Sequence, residues 1–279
     1  MKILITGSEG QVGSALVKKL FDYNVIPLTR QNCDLGNINQ IKYVIDQHKP
    51  DLILNTAAYT KVDKAEDEIK LAYSINCDAP RIMAEKALER NVPFIHFSTD
   101  YVFDGRKDGI YTESDFSNPL GVYGKSKLAG DNAIQAIGGQ FYIFRTSWVY
   151  SNKGDNFYLN IKYLAKELDE LKVVKDQVGV PTTSDFIANQ IQKIIPKLNK
   201  TNSGIYHLVP NGYCSRYEFA KAIIKKTYPN FHLSKIKPIY SKDYPAKAPR
   251  PLNSILDNKN FKRTFMVKFG NWKSELEKL

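Results

Sequence analysis

Short apolar segments alternate with amphipathic helical patterns over the first half of the chain. The apolar segments, each predicted to be a strand, are residues 2–6, 25–28, 51–55, 93–98 and 141–146. The helical patterns between them cover residues 11–22, 37–48, 68–90 and 121–137. Strands that alternate with helices indicate a parallel sheet, and strands that are apolar throughout indicate burial on both faces. The pattern therefore predicts the α/β fold class, with a doubly wound parallel-sheet Rossmann fold.

The alternation becomes less regular after about residue 147. Helices and strands are still predicted, over residues 156–171, 172–177, 184–198, 204–209 and 215–226. Ser184 and Ser215 stand at the starts of two of these helices, and both are predicted to be N-caps. For Ser215, Glu218 three residues later strengthens the prediction.

These patterns predict two regions that are not continuous in sequence. We expect residues 1–150 to form a dinucleotide-binding domain, with the strand near 172–177 and the helix after it added to that domain. Residues from about 151 to 279 would then form mainly a smaller, mixed α/β region that binds substrate.

The composition fits a folded globular protein. The chain has 279 residues, of which 43% are hydrophobic and 25% charged. No apolar run approaches the roughly 18 residues that a membrane-spanning helix needs. The first residues read directly as a strand and a glycine turn rather than as a signal peptide. We therefore expect a cytoplasmic protein with no membrane partner.

The charged and metal-binding residue types change this picture little. The 3 cysteines and 4 histidines are scattered, which indicates neither a disulfide framework nor a metal site. Lys and Arg outnumber Asp and Glu by 40 to 29, so the formal net charge is +11. The lysines are spread along the chain, however, and no nucleic-acid motif is present. We expect no nucleic-acid partner, although a local basic pocket for a diphosphate is compatible with the charge.

A glycine-rich turn lies between the first predicted strand and the first predicted helix. Gly7, Gly10 and Gly13 form a GxxGxxG pattern at this junction. Glycines permit a tight turn and a close approach of the backbone to a pyrophosphate, while the helix start supplies free N–H groups. The pattern at this position predicts a dinucleotide cofactor.

The end of the second predicted strand bears on which dinucleotide binds. An acidic side chain there would accept a hydrogen bond from the ribose 2′-OH of NAD, but this chain has Thr29 and Arg30. Arg30 can pair with the 2′-phosphate of NADP, and the alternative is an exposed arginine in a turn. We expect NADPH as the cofactor and leave NADH open.

Tyr123 and Lys127 lie four residues apart in a predicted helix and so share one of its faces. A lysine ammonium beside a phenol would lower the tyrosine pKa from about 10 toward the working range. The tyrosine could then donate a proton to a carbonyl oxygen while hydride reaches the carbon, and the lysine could hold the nicotinamide ribose. Ser98 and Thr99 end the fourth predicted strand, where a hydroxyl could bind the same oxygen.

Eight segments, in order over nearly the whole chain, carry a family resemblance. They are GSEGQVG (7–13), NTAAYTKVDKAE (55–66), STDYVFDG (98–105), VYGKSKLAG (122–130), RTSWVY (145–150), NF (156–157), DQVGVPT (176–182) and RPLNS (250–254). Through them the chain resembles the extended short-chain dehydrogenase/reductase superfamily and, within it, the dTDP-4-dehydrorhamnose reductase family. The resemblance implies a nucleotide-sugar substrate: NADPH or NADH would reduce the 4-keto group of dTDP-4-dehydro-L-rhamnose to dTDP-L-rhamnose. This is the last step of dTDP-rhamnose biosynthesis.

The resemblance also implies roles for individual residues. Tyr123 would be the catalytic acid, Lys127 its partner on the nicotinamide ribose, and Thr99 would bind the reacting oxygen. The expected cofactor contacts, from the pyrophosphate through the adenine to the third strand, are Gly10, Gln11, Val12, Asp34, Leu35, Ala58, Tyr59 and Thr60. The expected substrate contacts besides Thr99 are Asp100, Trp148, Asn156 and Arg250.

The chain departs from the family pattern at a metal site. Some members are dimers bridged by a magnesium ion that acidic side chains hold. One of these acids lies in the first helix, where this chain has Ala15, and Asp185 is the only acid in PTTSDF (181–186). We therefore expect no metal, and either a monomer or a homodimer.

Other functions on the same fold fit parts of this pattern. A dehydratase has Asp-Glu after the threonine, whereas Asp100 and Tyr101 follow Thr99 here, which argues against dehydration. An epimerase shares the Tyr/Lys pair and stays open, as does a reductase of another 4-keto-6-deoxy sugar nucleotide. A non-catalytic regulatory protein is a further alternative, against which the intact Thr99, Tyr123 and Lys127 argue.

Overall fold

The computed structural model describes residues 1–244 and 246–279. Its strands are β1 (Lys2–Thr6), β2 (Asn24–Leu28), β3 (Leu52–Asn55), β4 (Phe94–Thr99), β5 (Phe141–Thr146), β6 (Val149–Tyr150), β7 (Leu171–Val174), β8 (Val178–Gly179), β9 (Thr182–Thr183), β10 (Gly204–His207), β11 (Cys214–Ser215), β12 (Ile236–Ile239) and β13 (Asn253–Ser254). Its α-helices are α1 (Gln11–Lys19), α2 (Ile38–His48), α3 (Val62–Ala65), α4 (Ile69–Tyr73), α5 (Ala79–Glu89), α6 (Val122–Ile137), α7 (Phe157–Glu167), α8 (Ser184–Ile194), α9 (Arg216–Thr227), α10 (Lys259–Phe265) and α11 (Trp272–Glu277).

Six parallel strands form the central sheet in the order β2–β1–β3–β4–β5–β10. Leu4 of β1 lies opposite Ile26 of β2 and Ile53 of β3. The chain runs from β1 outward to β2 and then crosses to β3 on the other side, so the strand order reverses between β1 and β3. The carboxyl ends of these two strands flank the crevice in which such sheets bind ligands. The predicted α/β fold class with a doubly wound parallel sheet is confirmed.

Two apolar cores cover the two faces of this sheet. Ile3 and Ile5 belong to the core that includes Leu16 of α1 and Ile191 of α8, whereas Leu4 belongs to the core formed with α2, α5 and α6. Burying one such side chain stabilises the fold by about 1.5–3 kcal/mol. The two layers therefore hold the loops at the carboxyl ends of the strands in fixed positions.

A third core holds the C-terminal region together. Tyr158 of α7, Phe219 of α9 and Trp272 of α11 belong to it, together with residues of β7 and β12. None of the helices within residues 1–244 and 246–279 is both long and apolar enough to cross a membrane.

The strand predicted near residues 172–177, which we expected to belong to the dinucleotide-binding domain, lies outside the central sheet. Residues 171–174 pair with β12 in a separate two-stranded sheet and do not extend the central sheet. The sixth central strand is instead β10, which pairs with β5. Lys172 is exposed between two buried residues of β7, so this strand has a solvent-facing side that a central strand lacks. Helix α8, also predicted to belong to the nucleotide-binding domain, does pack against α1.

The two predicted helix caps have different outcomes. Ser215 caps α9 as predicted: its Oγ accepts a hydrogen bond from the Glu218 N–H, and Glu218 accepts from the Ser215 N–H in return. The prediction of Ser184 as the cap of α8 is wrong, because Thr183 Oγ1 accepts from the Phe186 N–H and Ser184 is already helical. Thr183 and Ser184 are adjacent hydroxyl residues, and the sequence pattern alone does not distinguish which of them is the N-cap.

Candidate active site

The glycine turn presents an open helix start between β1 and α1. Gly7 has a φ of +65° and its carbonyl accepts a hydrogen bond of 2.9 Å from the Gly10 N–H. A Cβ on Gly13 would lie 2.1 Å from the Gly7 carbonyl oxygen, so the helix packs directly beneath the turn. No side chain of the described residues caps α1, which leaves its first N–H groups for a ligand. These features fit a dinucleotide pyrophosphate.

Gly13→Ala is expected to weaken NADPH binding by about 10-fold and to lower the free energy of unfolding by about 1–3 kcal/mol, because the added methyl group displaces the turn. An NADPH titration and urea unfolding measure the two effects. Gly36→Ala is the matched control, since its Cβ would meet nothing closer than 3.4 Å. Wild-type affinity and stability in Gly13→Ala would contradict this close approach.

The residues predicted to lie at the adenine end of the cofactor follow β2. The Arg30 side chain is 79% exposed, and its Nε is 4.0 Å from Asp34 Oδ1. Asp34 Oδ1 also accepts a hydrogen bond of 3.0 Å from the Gly36 N–H. Leu35 is buried in the core with α2, so its side chain faces away from the crevice. Arg30 is therefore accessible to a phosphate, whereas Leu35 offers only its backbone.

The predicted cofactor loop after β3, Ala58–Thr60, is held by its central residue. Asn76 accepts a hydrogen bond of 2.8 Å from the Tyr59 N–H and donates one of 3.1 Å to the Tyr59 carbonyl. Asn76 also donates to Ser126 of α6, and Tyr59 donates its hydroxyl proton to Glu68. Asn76 lies in a π-helical turn, Ser74–Asp78, and was not predicted from the sequence.

The structure places Tyr123 and Thr99 next to each other. Tyr123 is the second residue of α6, and its ring meets Tyr101 edge-on with 5.3 Å between ring centroids. Burial raises the pKa of Tyr123 above its ordinary value, and interaction with the Thr99 side chain opposes that shift. Thr99 ends β4 and is buried, and its Oγ1 donates to Asp100 Oδ1. A phenol and a hydroxyl therefore meet at the carboxyl end of the sheet.

Lys127 is buried one turn further along α6, and its ammonium is held by the sheet. Its Nζ donates a hydrogen bond of 2.7 Å to the Phe97 carbonyl and lies 2.9 Å from His96 Nε2. Burial lowers the pKa of Lys127 to about 8, and the charge of Asp131 opposes that shift. The prediction that Lys127 lowers the Tyr123 pKa is wrong for this structure, because burial of the phenol dominates and raises it.

A buried polar chain runs from Lys127 through the strands to the glycine turn. His96 Nδ1 lies 3.0 Å from Asn55 Nδ2, and Thr6 Oγ1 donates to Asn55 Oδ1 at 2.6 Å. Thr6, Asn55 and His96 lie on β1, β3 and β4 and are at most 2% exposed. Burial lowers the pKa of His96 well below its ordinary value, so its ring is neutral. This row of buried polar side chains was not predicted from the sequence, although a single histidine within an apolar strand was a signal for it.

A buried ion pair lies one turn further along the same face of α6, which packs on the sheet. Arg145 of β5 and Asp131 of α6 approach to 3.3 Å, and Ser98 Oγ donates to Asp131 Oδ2 at 2.8 Å. Ser98 therefore faces the helix, while Thr99, the next residue, faces the crevice. Of the two hydroxyls predicted near the substrate oxygen, only that of Thr99 lies beside Tyr123.

Asp100 and Trp148 are constrained residues at the predicted substrate side. Asp100 is 3% exposed, and its Oδ2 has no hydrogen-bond partner within the described residues. Burial raises the pKa of Asp100. Trp148 has a φ of +47°, and its indole packs closely on Gly179, where a Cβ would stand 2.6 Å from Cε2. Backbone strain of this kind is concentrated at functional sites.

The two weaker substrate predictions, Asn156 and Arg250, are engaged within the protein. Asn156 caps α7 through its Oδ1 and donates from Nδ2 to Gln11 Oε1 at 3.0 Å. This geometry argues against the predicted sugar contact and makes Asn156 a positioning residue for the first helix turn. Arg250 forms a two-point pair with Asp63, at 3.1 and 2.8 Å, which lowers the Asp63 pKa. Arg250 remains 28% exposed at the edge of the site.

Comparison with known proteins places the chain in a family. The family model described as RmlD substrate binding domain matches residues 1–279. The dTDP-4-dehydrorhamnose reductase of Aggregatibacter actinomycetemcomitans is 39% identical, over 100% of this chain and 98% of the relative. That of Escherichia coli strain K12 is 37% identical, over 100% and 97%.

Solved structures agree. The dTDP-4-dehydrorhamnose reductase of Clostridium acetobutylicum superposes with a TM-score of 0.93 at 38% identity, covering 100% of this chain and 98% of the other. That of Bacillus anthracis, in complex with NADP, has a TM-score of 0.92 at 34% identity, covering 99% and 97%. With a family match over its full length, the chain belongs to the RmlD substrate binding domain family.

Proposed function

We propose that this protein reduces the 4-keto group of dTDP-4-dehydro-L-rhamnose to dTDP-L-rhamnose with a nicotinamide cofactor, the last step of dTDP-rhamnose biosynthesis. The observation that carries the proposal is the pairing of Tyr123 with Thr99 at the carboxyl end of β4. This pair lies on the same edge of the sheet as the glycine turn after β1. The curated relatives named above support the choice of sugar nucleotide.

The residues of the site divide the reduction between them. When bound, the reduced cofactor supplies a hydride to the carbonyl carbon. Tyr123 gives its phenolic proton to the carbonyl oxygen, which becomes a hydroxyl group. Because burial keeps the pKa of Tyr123 high, the phenol retains this proton at neutral pH until negative charge develops on the oxygen. Thr99 hydrogen-bonds the same oxygen and holds it near the phenol.

Lys127 and the glycine turn act on the cofactor. The open first turn of α1 binds the pyrophosphate, and Lys127 binds the nicotinamide ribose from its position one helical turn after Tyr123. We infer NADPH as the better cofactor and NADH as a weaker one, since Arg30 is exposed where the 2′-phosphate would lie. The Bacillus anthracis structure with NADP supports this inference.

The division of the chain follows from these roles. We infer that residues 1–150, completed by α8 and β10, bind the dinucleotide, and that residues from about 151 to 279 mainly bind the nucleotide sugar in the cytoplasm. Either a monomer or a homodimer is compatible with the site, because every residue invoked here comes from one chain.

The proposal is tested by cofactor oxidation with dTDP-4-dehydro-L-rhamnose, using NADPH and NADH in parallel. We expect one cofactor oxidised per sugar reduced, with the higher kcat/KM for NADPH. An epimerase would convert the sugar without net oxidation of cofactor, and a regulatory protein would do neither. Failure of both cofactors with this substrate would overturn the proposal. A dehydratase is disfavoured because Tyr101, whose ring packs on Tyr123, follows Asp100.

A further inference from the structure

Arg216 is a cation near Trp148 and Asp100 that has no part in the reduction proposed above. It is the first residue of α9, and its guanidinium carbon lies 3.7 Å from the ring centroid of Trp148 and 4.9 Å from that of Phe157. Burial raises the pKa of Asp100, and the nearby charge of Arg216 opposes that shift, so the guanidinium lies near one of the predicted sugar contacts. Arg216 therefore belongs to the same cleft as Trp148 and Asp100.

The position of Arg216 is fixed from several sides. The Ser215–Glu218 capping box defines the start of α9, and the Arg216 N–H donates a hydrogen bond of 3.0 Å to the Gln177 carbonyl. The guanidinium lies over the ring of Trp148, and the indole of Trp148 also packs closely on Gly179. A planar cation held on an aromatic face in this way retains little conformational freedom. Ligand binding therefore costs little further side-chain entropy.

The guanidinium of Arg216 has N–H donors that are available to a ligand. Within residues 1–244 and 246–279, no side-chain hydrogen bond or ion pair engages Arg216, whereas Arg250 nearby is paired with Asp63. Burial lowers the pKa of Arg216 to about 10, so it is charged at neutral pH. A partly buried guanidinium carries five N–H donors and is costly to leave without an acceptor.

We propose that Arg216 binds the diphosphate group of the nucleotide sugar, a role that rests on the function proposed above. Guanidinium groups bind phosphate oxygens through two parallel N–H donors, and Trp148 orients the plane in which they lie. Asp100, whose Oδ2 has no hydrogen-bond partner within the described residues, instead accepts hydrogen bonds from sugar hydroxyls. The nucleotide sugar thus lies with its diphosphate toward Arg216 and its sugar toward Asp100 and Tyr123.

The test is direct binding of dTDP to Arg216→Gln by calorimetry, together with steady-state kinetics. Losing a charge-assisted contact should raise the Kd for dTDP about 10- to 100-fold and raise the KM for the sugar nucleotide by a similar factor. NADPH affinity should stay unchanged, and kcat should change by less than KM. Arg216→Lys should fall between, because it keeps the charge but loses the planar stack. Lys225→Gln removes an exposed charge from the last turn of the same helix and should have no effect.

The outcomes separate this inference from the proposed function. If wild-type protein reduces the sugar but Arg216→Gln binds dTDP as tightly as wild type, the diphosphate role is wrong and the function stands. If the wild type binds dTDP through Arg216 but reduces no 4-keto sugar, the proposed function fails. If Arg216→Gln weakens the binding of dTDP and of NADPH equally, the residue supports the fold rather than the diphosphate, and the assignment is overturned. The same two binding measurements on Arg216→Lys check this outcome independently.

Discussion

Tyr123→Phe is expected to lower kcat by about 100- to 10,000-fold, the range that general acid catalysis contributes. The substitution removes one oxygen, and the phenylalanine ring keeps the edge-on contact with Tyr101. The hydroxyl is the proton source for the carbonyl oxygen, and Thr99, the neighbouring hydroxyl, is far too weak an acid to replace it. The loss should therefore appear in kcat, with little change in the KM for the sugar nucleotide.

Binding measurements decide whether this loss is chemical. NADPH and dTDP should bind Tyr123→Phe within about threefold of wild type, because neither contact depends on the acidity of the phenol. Tyr43→Phe, on the exposed side of α2, is the matched control and should retain full turnover. A Tyr123→Phe protein that keeps most of its kcat would exclude this tyrosine as the acid, whatever its cofactor affinity.

The sheet and the shared helix face of Tyr123 and Lys127 could be predicted because each depends on local sequence. Continuous apolar strands such as residues 141–146 require burial on both faces, and a glycine turn after the first strand has few other uses. Which strands share a sheet depends instead on contacts distant in sequence. Residues 171–174 and 204–207 are both short apolar strands, yet only the second pairs with β5.

The surroundings of Tyr123 and Lys127 could not be predicted, because they too depend on contacts distant in sequence. Spacing in α6 placed Lys127 next to Tyr123, but not the His96 ring and Phe97 carbonyl that hold its ammonium. Those partners lie about thirty residues earlier and become neighbours only when β4 packs beneath α6. A pKa depends on the whole surroundings of a group, so its direction for Tyr123 was misjudged from one neighbour alone.

Lys127→Met is expected to lower kcat/KM for NADPH by about 100-fold, through loss of a charged hydrogen-bond donor to the nicotinamide ribose. Methionine is unbranched and suits the buried volume of the lysine stem. The Phe97 carbonyl and His96 Nε2 would lose their partner, which should also lower the free energy of unfolding by about 1–3 kcal/mol. Lys125→Met, two residues earlier and exposed, controls for the loss of charge and should change neither quantity.

The pH dependence distinguishes a role of the Lys127 charge from a role in packing. Burial lowers the pKa of Lys127 from 10.5 to about 8, so the ammonium is present below pH 8 and lost above it. Wild-type kcat/KM for NADPH, which reports the free enzyme, should therefore fall as pH rises through about 8. In Lys127→Met this fall should be absent, because no proton is lost at that site.

The contribution of Lys127 to the free energy of unfolding should rise over nearly the same pH range in which kcat/KM falls. Between about pH 8 and 10.5 the unfolded chain still binds the Lys127 proton while the folded protein has released it. The free energy of unfolding therefore gains a rising contribution with pH in this interval, and Lys127→Met should lack it. Activity that falls while this contribution rises, with both effects removed by one substitution, would be difficult to attribute to any other group. A fall in kcat/KM near pH 8 that persists in Lys127→Met would instead show that another residue titrates there.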